Sequence, residues 1–205
     1  MSVAKILWQE NADLARAILE HRFVQGLGDG TLPRPSFENY IGQDAYFLEA
    51  FARGYALALA HSPDREGLYA FAELLIGVTN ELRLHASYAD RWGVELTDIT
   101  PSEATLAYTD FLLAIAGTRT IGEICAAMTP CMRLYAFLGQ QLAEAKPDAQ
   151  HIYAEWIHTY SDPSFEALAQ RLEDLLDRYT NDGPVLRYIY RRAMQLELGF
   201  FEYNS

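Results

Sequence analysis

The chain has 205 residues, half of them hydrophobic and 21% charged, a composition that excludes a disordered chain and fits one globular domain over residues 1–205. Sixteen Lys and Arg stand against 28 Asp and Glu, a net charge of −12, so phosphate backbones and anionic lipid are poor partners; neither nucleic acid nor a membrane is expected. The start of the chain meets acidic residues too soon to read as a secretory segment, and no apolar run is expected to reach membrane-span length, so a soluble, cytoplasmic protein is expected.

Strand signals are nearly absent, and Gly and Pro fall where they punctuate helices. A first helix is expected from Ser2 to Phe23. A tight loop then covers Gly26 to Pro33, where Gly28-Asp29-Gly30 lacks the GxGxxG spacing and the preceding strand of a nucleotide-binding turn. A second helix is predicted from Ser36 to about His61 and a third from Asp64 to Trp92. The fourth opens at Thr100-Pro101-Ser102-Glu103, read as a capping box with Pro at the first helical position, and stops at Gly117. A second box, Thr120-Ile121-Gly122-Glu123, starts a fifth helix running to about Lys146. A short sixth helix follows Asp148, a seventh follows Asp162 with Pro163 next, and the last follows Asp182-Gly183-Pro184. Eight helices with short connections make an all-α bundle.

In such a bundle the informative residues are polar groups on apolar stripes. Asp44 falls among Phe37, Tyr40, Phe47, Phe51 and Tyr55, and a carboxylate buried there must be paired or bind something. On the third helix His85 lies on the core face one turn after Glu81, where an i,i+4 contact would satisfy both. Tyr108 shares an inward face with Leu112 and Ile115, and its hydroxyl needs a partner. On the fifth helix Cys131 follows Pro130, a residue that breaks a helical hydrogen bond, and Tyr135 comes one turn later. Cys131 reads either as a small core hydrophobe or as a nucleophile, whereas Cys125 projects from another face and cannot pair with it. Glu197 interrupts the stripe of the last helix among aromatic residues, and Trp156, Ile157 and Tyr160 close the sixth helix onto the core.

A shared internal pocket satisfies these groups together. A thiol, two carboxylates and several phenols, without clustered cations or a plausible metal set, suit a small neutral or cationic aromatic substrate. Asp44 can hold the edge of an amino-substituted heteroaromatic ring, Cys131 can add to an electron-poor ring carbon, and Glu197 can act as acid and then base.

The same residues carry a resemblance. Phe23-Val24-Gln25-Gly26-Leu27-Gly28-Asp29-Gly30-Thr31-Leu32-Pro33, Tyr40-Ile41-Gly42-Gln43-Asp44-Ala45-Tyr46-Phe47-Leu48, Thr129-Pro130-Cys131-Met132-Arg133-Leu134-Tyr135, Trp156-Ile157-His158-Thr159-Tyr160 and Glu197-x-x-Phe200-Phe201 occur in the order seen in the TenA or thiaminase II family. The chain resembles that family along nearly its whole length, on the branch with a cysteine nucleophile.

The resemblance implies a heme-oxygenase-like helical fold, a homotetramer and a cofactor-free aminopyrimidine aminohydrolase of thiamin salvage. Its substrate would be 4-amino-5-aminomethyl-2-methylpyrimidine, converted to the 5-hydroxymethyl compound with release of ammonia, and thiamin could be cleaved to the same pyrimidine and a thiazole. By position, Cys131 is then the nucleophile, Glu197 the proton shuttle and Asp44 the anchor of the aminopyrimidine edge. Phe47, Tyr108, Tyr135 and Tyr160 line the pocket, and Glu81 and His85 support it from behind. Phe47 stands where relatives often have tyrosine, and Arg133 replaces a bulky aromatic. Two other readings remain: a non-enzymatic regulatory or pyrimidine-binding protein, against which stands the lack of a basic recognition helix, and a heme or di-iron bundle, for which only Glu155-Trp156-Ile157-His158 has the spacing.

Overall fold

The computed structural model describes residues 2–145 and 151–205, and every regular element among them is an α-helix. The single first helix expected over residues 2–23 is instead three: α1 (Val3–Glu10), α2 (Ala12–Leu19) and α3 (Arg22–Asp29). Asn11 stops α1, leaving helical geometry while its amide donates to the Leu7 carbonyl at 2.8 Å. His21 is extended and caps α3 through its ring nitrogen. Leu7, Ala15, Ile18 and Phe23 all stay buried across these breaks, so the apolar period runs on where the backbone does not.

The expected loop at Gly26–Pro33 is also corrected, because α3 continues to Asp29 and only Gly30 takes the left-handed conformation, at φ +79°. Gly26 and Gly28 serve close packing. A Cβ on Gly26 would sit 3.0 Å from the Leu32 Cα, and one on Gly28 would sit 2.7 Å from the Leu142 side chain.

Helices α4 (Arg34–Ala60) and α5 (Arg65–Trp92) fall close to their expected bounds, with Asp64 capping α5 through the Gly67 N–H. Helix α6 (Glu103–Thr118) is capped by Ser102 and not by Thr100; the Ser102 hydroxyl accepts from Thr105 N at 3.1 Å, which leaves Pro101 outside the helix. Helix α7 (Ile121–Glu144) opens with the expected Thr120–Glu123 box. The expected extension to Lys146 and the helix start after Asp148 lie outside the described residues. Helices α8 (Ala154–Ser161), α9 (Pro163–Tyr179) and α10 (Pro184–Tyr203) complete the chain.

Helix α7 packs against α6, α8, α9 and α10. It corrects one expectation: it is long and apolar enough to cross a membrane, yet 78% of its most apolar window is buried within the protein. A helix surrounded on most sides by others has no need of a polar face. Against it α8 comes into backbone contact, since a Cβ at Gly139 would lie 2.4 Å from the Tyr160 carbonyl carbon and 2.6 Å from Ser161 N. The buried apolar side chains of all ten helices form one contiguous core.

Candidate active site

Five of these helices open onto one internal cavity. Asp44 and Phe47 reach it from α4, Glu81 from α5, Cys131 and Tyr135 from α7, Tyr160 from α8, and Phe165 from α9. Its volume is only ≈ 10 Å³, room for about one water, so the site is shut. Two predicted residues stand directly behind this lining. The Tyr108 hydroxyl donates to Glu197 Oε1 at 2.7 Å, and Glu197 in turn interacts with the Cys131 thiol. Phe47 packs on Tyr108, ring centroids 4.7 Å apart, and Tyr135 meets Tyr160 edge to face at 4.8 Å.

Burial dominates the electrostatics. It lifts Glu197 to about 7, against the opposing effect of hydrogen bonds from Tyr108 and Cys131. It also drives the Cys131 thiol far above its ordinary value, helped by the charges of Glu197, Glu81 and Asp44, so the resting thiol is protonated, with the Glu197 carboxyl beside it. Asp44 is raised by burial and by Glu81 and Glu197, while burial lowers His85 to about 4 and keeps its imidazole neutral. Three acids thus surround one cavity with no charged partner among the described residues that line it.

The predicted Glu81–His85 contact is corrected. Glu81 Oε1 accepts from the Tyr160 hydroxyl at 2.7 Å, and burial lifts this acid to about 7. His85 turns to Asp44, Nε2 to Oδ2 3.1 Å. Even so, no donor among the described residues is aligned on Asp44 Oδ2, and His85 Nδ1 also lacks a partner. Asp44 also lines the cavity, and a buried carboxyl short of aligned donors is a natural partner for a polar group on a ligand.

Arg133 points away from the cavity to α9, where Nη1 bonds Glu166 at 2.8 and 2.9 Å and Nε and Nη2 bond Glu173 at 2.8 Å. Sequence reasoning missed Phe165, whose one signal was an aromatic in the first turn after the Asp162-Pro163 cap. It also missed the role of Tyr40, whose hydroxyl accepts from Trp156 Nε1 at 3.2 Å and approaches that of Tyr135 at 3.4 Å. Cys125 is fully buried and unpaired, as expected. Glu155 of the single Glu-x-x-His spacing pairs with Arg91 at the surface, and no group of three metal-ligating side chains occurs among the described residues.

Comparison with known proteins adds to this geometry. A family model described as the TENA/THI-4/PQQC family matches residues 8–203. The aminopyrimidine aminohydrolase of Halalkalibacterium halodurans is 35% identical over 100% of this chain and 97% of its own. The mitochondrial bifunctional TH2 protein of Arabidopsis thaliana is 34% identical over 87% of this chain, which spans only 33% of that protein's length. Among solved structures, a TenA homologue from Pyrococcus horikoshii OT3 superposes with a TM-score of 0.92 at 26% identity, covering 100% of this chain and 98% of the other.

Proposed function

The chain belongs to the TENA/THI-4/PQQC family, and on that premise we propose that it hydrolyses aminopyrimidines in thiamin salvage, with Cys131 as nucleophile and Glu197 as proton carrier. The observation that carries this reading is the Cys131–Glu197–Tyr108 contact chain beside the Asp44 carboxyl at one cavity. Near-full-length similarity to a protein named aminopyrimidine aminohydrolase supports the substrate class.

Asp44 accepts hydrogen bonds from the amino edge of the ring, and Phe47, Tyr135 and Tyr160 flank its faces. Glu197 takes the Cys131 proton and the thiolate adds to a ring carbon. The electron pair so gained expels the amine from the 5-methylene group, and Glu197 protonates it as it leaves. Water then adds to the exocyclic methylene, giving up its proton to Glu197, and the ring–sulfur bond breaks to restore the thiol. The sum is aminomethylpyrimidine plus water giving hydroxymethylpyrimidine plus ammonia, with no cofactor required. The reading includes residues 1–205 as one catalytic domain, working as a cytoplasmic homotetramer, which light scattering on the purified protein checks.

Ammonia release from 4-amino-5-aminomethyl-2-methylpyrimidine is the direct assay. Cys131→Ala and Glu197→Gln are expected to lower the rate by about a hundredfold or more with the helical circular dichroism unchanged. Full activity in Cys131→Ala overturns the nucleophile. A parallel assay for thiazole release shows whether thiamin is also cleaved.

A further inference from the structure

We propose that molecules reach Cys131 through the surface groove between α5 and α9, and that the Phe165 side chain decides which of them pass. The inference takes Cys131 as the reacting centre from the reading above, but its geometry is independent of the substrate's identity.

The cavity beside Cys131 holds no more than about one water, so any ring-sized ligand requires an opening. Directly outside lies a groove of ≈ 460 Å³, walled by Ile76, Gly77, Asn80 and Leu84 of α5 and by Leu168 of α9. Glu81 and Phe165 line both spaces, so they form the partition between them. Two other surface grooves, beside Trp8 and beside Tyr188, share no residue with the cavity.

Of the two partition residues, Glu81 is tethered to Tyr160 by its 2.7 Å hydrogen bond. Phe165 is held only by packing, its ring edge-on to Tyr160 at 5.0 Å and its surface 9% exposed. Helix α9 itself is fastened to the nucleophile's helix, because Arg133 grips Glu166, the next residue, and Glu173 two turns on. Rotation of the Phe165 ring about its side-chain bonds therefore opens the partition while the helices stay in place.

Alkylation of the thiol tests the route without using hydrolysis, so its failure is distinct from failure of the proposed reaction. In a Cys125→Ala background, mass spectrometry follows modification of Cys131 by iodoacetamide and by the bulkier N-phenylmaleimide at mildly alkaline pH. Phe165→Ala is expected to accelerate N-phenylmaleimide about tenfold or more, and iodoacetamide distinctly less, since the thiolate fraction enters both rates alike and only passage depends on the reagent's bulk. Asn80→Trp, an exposed change on the outer groove, is expected to slow both reagents. Unchanged rates in Phe165→Ala overturn the proposal. Equal acceleration of both reagents also overturns it, because that reports thiol ionisation and not passage, and so does Asn80→Trp without slowing. Should Phe165→Ala lose its cooperative melting transition, Phe165→Leu carries the same comparison.

Discussion

Tyr108→Phe isolates how the protein sets the proton affinity of Glu197. The substitution removes one oxygen, the donor 2.7 Å from Glu197 Oε1, and leaves the ring that packs on Phe47. A hydrogen bond to an ionised group contributes roughly 1.5–3 kcal/mol. It favours the carboxylate over the acid, so its loss raises the Glu197 pKa from about 7 by roughly 1–2 units, at ~1.4 kcal/mol per unit. In the proposed reaction Glu197 must be ionised to take the Cys131 proton, so the acidic limb of the kcat/KM profile is expected to move to higher pH by that amount. At neutral pH the ionised fraction falls about five- to fiftyfold, and raising the pH restores it. The assay is ammonia release across the pH range for wild type and variant, with melting temperature as a control. A rate lowered equally at every pH would refute the reasoning, since it would mean that Tyr108 acts on the reaction without tuning Glu197.

The same acid shapes stability. Glu197 holds its proton to about 7 in the folded protein but only to its ordinary 4.5 when unfolded, so its contribution is full below 4.5 and declines as pH rises through 7. Glu197→Gln, which mimics the protonated acid, is expected to gain roughly 3 kcal/mol over wild type at about pH 8 and little near pH 4; urea titrations at the two pH values check it. Gly139→Ala forces a methyl group to within 2.4 Å of the α8 backbone, where no side-chain rotation relieves the clash. A loss of about 3 kcal/mol in urea unfolding is expected, together with slower turnover as Tyr160 shifts; stability within about 0.5 kcal/mol of wild type would show that α8 moves freely.

The convergence of Asp44, Cys131 and Glu197 was readable because each is a polar group at a core position of a long helix, where the 3.6-residue period fixes the face. The partners were less readable. Glu81 and His85 sit one turn apart on α5, yet one answers to Tyr160 on α8 and the other to Asp44 on α4. Periodicity reports which way a side chain points, while its partner depends on which helix crosses there. Arg133 shows the same gap, since nothing in its spacing on α7 indicated that it ties α7 to α9 through Glu166 and Glu173. The breaks at Asn11 and His21 escaped notice because the buried residues keep their spacing across them. At Gly26 and Gly28 the glycines pointed to a turn, whereas they accommodate Leu32 and Leu142 from elements distant in sequence or in the next bend of the chain.

Glu81 and Glu197, each drawn to about 7, have a joint consequence at the closed cavity. Near neutrality the two carboxyls hold about one proton between them and so carry about one negative charge, with no Lys or Arg among the described residues that line the cavity to offset it. An ammonium group brought inside would cancel that charge with the shared proton in place, so the interior is matched in charge to a singly cationic ligand.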